Sequence, residues 1–245
     1  MTLSPLKISA KNLGYTALES FCPRCYWIKL QMSHNLPWSS FPGIFSSIDA
    51  FTKHCVHEMI DEGLKTGNFP LWLQDMGKIV KYEKVPHWSK SLYVDKKSGI
   101  TISGMADDIF VLNDGTFVVP DYKTAKYTAS QDELLPMYEI QEICYPIIYG
   151  YKNAKLFLVY MEPQTEANKA YSCVTKSGFD MGFSAKTVPV ENDRKKVRRA
   201  LEITREIYEM AEAPQAKDGC KDCEKLDKVM ELINRKEKLL NNEGD

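Results

Sequence analysis

Two aspartates and a lysine stand at the open ends of a predicted β-hairpin. The hairpin sequence reads GMADDIFVLNDGTFVVPDYKT (104–124), in which two apolar runs flank an Asn-Asp-Gly turn. With that turn as the loop, the hairpin register places Asp107 opposite Asp121. Because side chains alternate along a strand, Lys123 projects to the same face as Asp121. One face of the hairpin is therefore expected to gather two carboxylates and one ammonium group.

Two carboxylates at this spacing repel each other unless a positive charge offsets them. A hard divalent cation such as Mg²⁺ or Mn²⁺ does so, because these ions prefer oxygen ligands. The alternative is a solvated hairpin end at which Lys123 neutralises one of the acids. Asp108 competes with Asp107 as the ligand, but the register assigns Asp108 to the opposite face.

A second candidate metal site consists of two Cys-x-x-Cys elements near opposite ends of the chain. Cys22 and Cys25 lie in CPRC, and Cys220 and Cys223 lie in CKDC. Together they offer four thiolates, enough for a tetrahedral Zn²⁺ ion or a [4Fe–4S] cluster. Such a site would join the two chain ends, and the spacing does not choose between the two metals.

One concentrated run of basic residues could contact nucleic acid. It reads DRKKVRRALEITR and lies in a predicted long amphipathic helix over about 192–212. Contact with a phosphate backbone is one interpretation, and an ordinary solvated helix face is the other. The candidate nucleic-acid-binding residues are Lys195, Lys196, Arg198 and Arg199.

Composition is that of a globular domain without a dominant charge. The chain has 245 residues, 44% hydrophobic and 27% charged, with a formal net charge of −1, so nucleic acid would need a local basic patch. The first residues lack a signal-peptide core, and no apolar run approaches the roughly 18 residues that span a bilayer. Seven cysteines also suit a reducing compartment. We therefore expect a cytoplasmic protein.

The predicted elements give an α/β (α+β) fold, with helices outside a mixed central sheet. A helix is expected from Ser47, with Gly63 as its stop. Strands are expected near 78–85, 91–95, 99–104, 107–112, 116–121, 155–161 and 171–176, and another strand is expected at FSAKTVPV. Helices are expected over 131–150 and after the second cysteine pair.

The order of these motifs resembles the PD-(D/E)XK nuclease superfamily. Gly104-x-x-Asp107, followed by a strand ending in Asp121-x-Lys123, is similar to its RecB-like branch, which includes the CRISPR-adaptation iron–sulfur nucleases. Three further elements match that branch over residues 8–223: His57 in KHCVHEMIDEG, Gln141 and Tyr145 in QEICY, and the Cys-Pro element of CPRCYW.

The resemblance implies a restriction-endonuclease-like core and a role for each matched residue. His57, Asp107, Asp121 and the backbone carbonyl of Tyr122 would bind Mg²⁺ or Mn²⁺. Lys123 would lie beside the scissile phosphate and the attacking water, and Gln141 and Tyr145 would orient Lys123 or the DNA. The four cysteines would hold a [4Fe–4S] cluster, with Zn²⁺ as the alternative, because the two-and-two arrangement departs from the family's usual one-and-three.

The implied activity is hydrolysis of DNA phosphodiester bonds, as an exonuclease or end-processing enzyme on single-stranded DNA. The implied setting is DNA repair, recombination or CRISPR-type DNA processing. The alternative is a catalytically silent module that binds nucleic acid or assembles a complex. The expected domains are a nuclease-like domain (1–223), whose segments 1–46 and 190–223 form a cysteine-metal subdomain, and a helical tail (224–245) that could bind a protein partner.

Overall fold

Helices and mixed β-sheets alternate through the chain. The structure is a computed structural model that describes residues 5–34, 43–128 and 133–242, with side chains as far as residue 235. The helices are α1 (Ala10–Gly14), α2 (Pro23–Gln31), α3 (Gly43–Thr66), α4 (Leu71–Gln74), α5 (Leu135–Tyr149), α6 (Ala170–Cys173), α7 (Arg194–Tyr208) and α8 (Lys221–Asn242). The strands are β1 (Leu6–Ser9), β2 (Ile79–Glu83), β3 (Leu92–Asp95), β4 (Ile100–Ser103), β5 (Ile109–Leu112), β6 (Phe117–Lys123), β7 (Ala154–Pro163), β8 (Val174–Thr175), β9 (Gly178–Phe179) and β10 (Phe183–Val190).

The largest sheet has five strands in the order β10-β7-β6-β5-β2. Its central pair, β6 and β7, is parallel, and α5 forms the crossover between them, as parallel neighbours require. The other pairs in this sheet are antiparallel, so the sheet is mixed. A three-stranded sheet has the order β1-β4-β3, and β8 pairs with β9 in a short hairpin. The predicted mixed sheet with flanking helices is confirmed at this level.

The five-stranded sheet is covered by apolar side chains on both faces. Alternation along β6 sends Val119 into one cluster, with residues of α1, α5 and α7, and Val118 into the other, with residues of α3 and α4. Burial on both faces explains why β5 reads as a continuous apolar run. The strand end that carries Asp121 and Lys123 thus lies between two packed helical layers.

The hairpin register predicted from the turn is confirmed. Phe110 pairs with Val118 and Val111 with Phe117, and the backbone N–H of Leu112 donates to the carbonyl of Thr116 at 2.9 Å. The strand is shorter than predicted, because β5 begins at Ile109. The two adjacent aspartates therefore lie in the loop before β5 rather than in the ladder itself.

Two predicted element boundaries are wrong. Helix α3 begins at Gly43 rather than at Ser47, and it runs past Gly63 to Thr66. Gly63 allows close packing instead, because a Cβ atom added there would lie 2.5 Å from the ring of Phe69. The helix ends before Gly67, whose φ of +78° suits a helix terminus.

Residues 171–176 do not form the predicted strand. Tyr171 to Cys173 belong to α6, and only Val174 and Thr175 are extended. The predicted strand FSAKTVPV is confirmed as β10, and the predicted helix at the C-terminal end is confirmed as α8. Within the described residues, no helix is both long enough and apolar enough to cross a membrane.

Candidate functional site

Asp107 and Asp121 converge at the end of β6, each held by backbone or lysine contacts. The backbone N–H of Tyr122 donates to Asp107 Oδ2 at 2.7 Å, which fixes the loop aspartate beside the strand that carries Asp121. Lys53 Nζ lies 2.8 Å from Asp107 Oδ1, and Lys123 Nζ contacts Asp121 Oδ2. Each carboxylate thus has its own ammonium partner.

One face of α5 surrounds Asp121 with hydrogen-bond donors. Gln141 Nε2 and the Tyr145 hydroxyl donate to Asp121 Oδ1 at 3.2 and 3.1 Å. Lys123 Nζ donates to Gln141 Oε1 at 3.2 Å and lies 4.1 Å from the ring centroid of Tyr138. Positions 138, 141 and 145 share this face because residues three and four apart are neighbours on a helix. The predicted Gln141–Tyr145 pair and Lys123 therefore meet around Asp121.

The electrostatics of this cluster follow from burial and from the closeness of the acids. Burial, reinforced by the negative charge of Asp121, raises the pKa of Asp107 to about 7, although Lys53 opposes the rise. Burial lowers the pKa of Lys123, but contact with Asp121 outweighs it and leaves that pKa above its ordinary value. Lys123 is therefore an ammonium group in this arrangement. Burial and the neighbouring Lys123 lower the pKa of Lys11 on α1.

Asp108 faces away from this cluster and has different partners. Its two carboxylate oxygens contact His57 Nε2 and the Tyr122 hydroxyl, each at 2.7 Å. The His57 ring stacks on Tyr82 with centroids 4.3 Å apart. Because Asp108 is only 2% exposed, these two contacts satisfy a buried carboxylate. They connect the loop before β5 to α3 and to β6.

The loop that carries both aspartates is fixed from the other side by α1 and α5. A Cβ atom on Gly104 would lie 3.1 Å from the Cβ of Ala10 and 3.2 Å from Cε1 of Tyr145. The backbone N–H of Ala106 donates to the Tyr149 hydroxyl at 2.9 Å. A glycine three residues before Asp107 thus allows the loop to approach the helix that positions Asp121.

The predicted metal ligands do not all come together. Among the described residues, the only group of three or more His, Cys, Asp or Glu side chains with ligand atoms all within 4.8 Å is the cysteine quartet. Asp107 and Asp121 are neighbours, but the His57 nitrogen contacts Asp108 instead of joining them. The role of His57 as a metal ligand stays a prediction. It would require the His57 ring to leave Asp108 and turn toward Asp107 and Asp121.

Three residues of this cluster were not found from the sequence: Lys11, Lys53 and Tyr138. Lys53 lies four residues before His57 on a helix that the sequence predicted, so helical spacing was the signal that could have found it. Tyr138 lies three residues before Gln141 and could have been found in the same way. Lys11 carries no such signal, because its position depends on how α1 packs.

The four predicted cysteines lie together and join the N-terminal and C-terminal regions. The Cys25 sulfur lies 3.3 Å from that of Cys223 and 3.6 Å from that of Cys220. The Cys22 sulfur lies 3.7 Å from that of Cys223. Such a group of thiols could bind a metal, either zinc or an iron–sulfur cluster.

Both cysteine pairs flank the first turn of a helix, α2 or α8. The backbone N–H of Lys217 donates to the Cys22 sulfur at 3.3 Å. Although burial opposes it, hydrogen bonds from the backbone of Cys25 and Lys217 lower the pKa of the Cys22 thiol to about 7. Burial raises the pKa of Cys223 to about 11. The backbone donors around Cys22 thus favour its thiolate form.

The basic run on α7 is exposed but divides between two sides of the helix. Lys196 pairs with Glu139 at 2.7 Å and lines a cavity of about 310 Å³ together with Arg199. Arg198 lines a separate cavity of about 720 Å³, whose wall also carries Lys97 and several acidic side chains. Lys195 is exposed at the start of the helix. The predicted DNA contacts of this run stay a prediction.

Comparison with known proteins gives no family for the chain. No protein-family model and no curated protein matches it. Among solved structures, the chain is similar to one described as "Crystal structure of SSO0001", with 16% sequence identity and a TM-score of 0.36. That similarity covers 83% of this chain and 77% of the other.

Proposed function

We propose that the protein is a divalent-metal-dependent nuclease that hydrolyses phosphodiester bonds in DNA. The observation that carries the proposal is the meeting of Asp107, Asp121 and Lys123 with Gln141 and Tyr145 at the end of one buried strand. Two neighbouring carboxylates can hold a divalent cation, and an ammonium group beside them can offset the negative charge of a phosphate.

The carboxylate pair fits a hard divalent cation, Mg²⁺ or Mn²⁺. Repulsion from Asp121 contributes to the raised pKa of Asp107, and a cation between the two acids would relieve that repulsion. Asp107 and Asp121 would hold the ion, with the backbone carbonyl of Tyr122 as the further ligand that the family resemblance implies. A divalent cation bound there would polarise a phosphoryl oxygen and lower the pKa of bound water.

Lys123 would offset charge on the scissile phosphate rather than remove a proton. Its pKa lies above the ordinary lysine value in this arrangement, so it carries a full positive charge near neutral pH. Gln141 accepts from its ammonium group and donates to Asp121, which fixes both side chains relative to each other. Such preorganised charge stabilises the phosphoryl group in the transition state without costly rearrangement.

Additional positive charge near the acids favours an anionic substrate. Lys53 contacts Asp107, and Lys11 lies close enough to Lys123 and Asp121 to interact electrostatically with both. If a divalent cation bound Asp107, it would replace the contact between Lys53 and Asp107. The Lys53 ammonium group could then contact a phosphate oxygen. Action on single-stranded DNA, at an end of the strand, is part of the proposal by family resemblance.

The experiment is a cleavage assay on labelled single-stranded and duplex DNA, with Mg²⁺, Mn²⁺ or no added divalent cation. We expect the wild-type protein to cleave only with added metal. Lys123→Ala should lower the cleavage rate about 10²-fold or more, because it removes a charge that acts in the transition state.

The matched control is Lys155→Ala. Lys155 is an exposed lysine of β7, at the position that pairs with Val118 near the start of β6. Lys123, in contrast, is the last residue of β6. Lys155→Ala should cleave like the wild-type protein. Full activity in Lys123→Ala would contradict the assigned site, and failure of the wild-type protein to cleave any nucleic acid would favour the silent binding module.

A further inference from the structure

The distances between the cysteine sulfurs can be compared with those around a single metal ion and around an iron–sulfur cluster. Three pairs of sulfurs lie 3.3, 3.6 and 3.7 Å apart, and all four sulfurs lie within 4.8 Å of one another. A tetrahedral ion with Zn–S bonds of about 2.3 Å holds its sulfurs about 3.8 Å apart. The quartet therefore has the dimensions of a site for one ion.

A [4Fe–4S] cluster requires a wider arrangement of thiolates. Each cysteine binds a different iron at a corner of the cluster, so an iron–iron edge separates neighbouring sulfurs in addition to two Fe–S bonds. Sulfurs around such a cluster lie on the order of 6 Å apart, farther than any pair in this quartet. At their present spacing, the four sulfurs are closer together than the cluster that the family resemblance implies would require.

We propose that Cys22, Cys25, Cys220 and Cys223 bind a single Zn²⁺ ion in a closed, structural site. Four thiolates from two Cys-x-x-Cys elements form a complete tetrahedral ligand set, which leaves no position for a substrate. The backbone N–H of Lys217 donates to the Cys22 sulfur and supports it as a charged ligand. This inference is independent of the proposed nuclease activity.

The surroundings indicate what the ion stabilises. Next to the quartet, Arg24 on α2 binds Asp227 on α8 through two hydrogen bonds of 2.6 and 3.0 Å. This pair is exposed, so it contributes little by itself. The metal is then the main link that holds the start of α8 against α2, across almost the whole length of the sequence.

The test is metal analysis of the full-length protein purified without oxygen. We expect one zinc ion per chain, no acid-labile sulfide and no absorbance near about 400 nm, where iron–sulfur clusters absorb. Replacement of zinc by Co²⁺ should give the visible bands of tetrahedral thiolate-bound cobalt. Iron with an equal amount of sulfide, iron without sulfide, or protein without any metal would each overturn the proposal.

Two cysteine variants separate ligands from bystanders. Cys25→Ser removes a sulfur that lies close to two others and should lose the bound zinc. Cys173→Ser alters a cysteine of α6 that is outside the quartet and should retain one zinc per chain. Equal zinc content in the two variants would overturn the ligand assignment. The wild-type metal analysis stands even if Cys25→Ser does not fold.

Discussion

At the scale of single residues, Asp107 and Asp108 have separate tasks. Asp107 accepts from the backbone of Tyr122 and faces Asp121, whereas Asp108 accepts from the Tyr122 side chain and contacts His57. One tyrosine thus fixes both acids, Asp107 through its backbone N–H and Asp108 through its hydroxyl. The geometry of the proposed metal site therefore depends on Tyr122, both through its backbone N–H and through the carbonyl that is proposed as a metal ligand.

Removing the Tyr122 hydroxyl should destabilise the fold. Tyr122→Phe leaves one oxygen of the buried Asp108 without its partner, which typically costs about 1–3 kcal/mol. The measurement is chemical denaturation of the two proteins at pH 7. Tyr82→Phe is the control, because the Tyr82 hydroxyl makes only a long bond of 3.5 Å to Asp61. Equal stability of the two variants would contradict the assigned role of Tyr122.

The buried carboxyl of Glu142 should make stability depend on pH. Burial, reinforced by the charge of Asp121, raises the pKa of Glu142 well above its value of 4.5 in the unfolded chain. The folded state therefore keeps its proton while the unfolded state loses it. Stability from this group is complete below pH 4.5 and declines as the pH rises toward the folded pKa, by at most about 1.4 kcal/mol per pH unit.

Glu142→Gln should remove this dependence. We expect the variant to be more stable than wild type at pH 8, with a difference that shrinks as the pH falls toward 4.5. Denaturation curves of both proteins across this range measure the difference. A difference that stays constant with pH, or a variant that is less stable at pH 8, would contradict the protonated state of Glu142.

At the scale of elements, helix α5 connects the site to the core. One face carries Gln141 and Tyr145 toward Asp121, and the helix packs closely against α1. At Gly14, where α1 ends, an added Cβ atom would lie 2.3 Å from the backbone oxygen of Met137. Only a glycine allows α1 and α5 to approach this closely, because a side chain at position 14 would collide with the backbone of α5.

Gly14→Ala should therefore move α1 away from α5. Because the obstacle is backbone rather than a flexible side chain, we expect a loss of about 1–3 kcal/mol in unfolding free energy. Gly43→Ala is the control, since an added Cβ atom at Gly43 meets no atom of the described residues within 4 Å. Thermal or chemical denaturation compares the two. A Gly14→Ala protein as stable as Gly43→Ala would contradict the close packing of these helices.

The sequence predicted the parts of the fold that depend on local chemistry. The Asn-Asp-Gly turn was enough to define the hairpin register, and helical spacing was enough to group Gln141 with Tyr145. What depends on tertiary packing was not predictable in this way. Helical spacing does not show that Gly63 contacts Phe69, which lies just after the helix, so the sequence alone predicts a helix stop at Gly63. The partner of His57 depends on how α3 packs against the loop before β5.

At the scale of the whole molecule, two separate groups of side chains join distant parts of the chain. The cysteine quartet links residues about two hundred positions apart, between α2 and α8. The carboxylate cluster gathers α1, α3, α5 and the end of β6. The first offers four thiols that could bind a metal, for which we propose a closed structural zinc site. The second has carboxylate oxygens with lysine partners, which suit the metal-dependent site proposed above.

The measurement that tests the central claim most directly is Mn²⁺ binding, followed by electron paramagnetic resonance, alongside DNA cleavage by the same samples. The variants are Asp107→Asn and Asp108→Asn, two neighbouring acids that face opposite sides of β6. We expect Asp107→Asn to weaken Mn²⁺ binding at least about 10-fold and to abolish cleavage, because it removes a charged oxygen ligand. Asp108→Asn should bind Mn²⁺ and cleave DNA within a few-fold of wild type. Wild-type binding and cleavage by Asp107→Asn would contradict the claim.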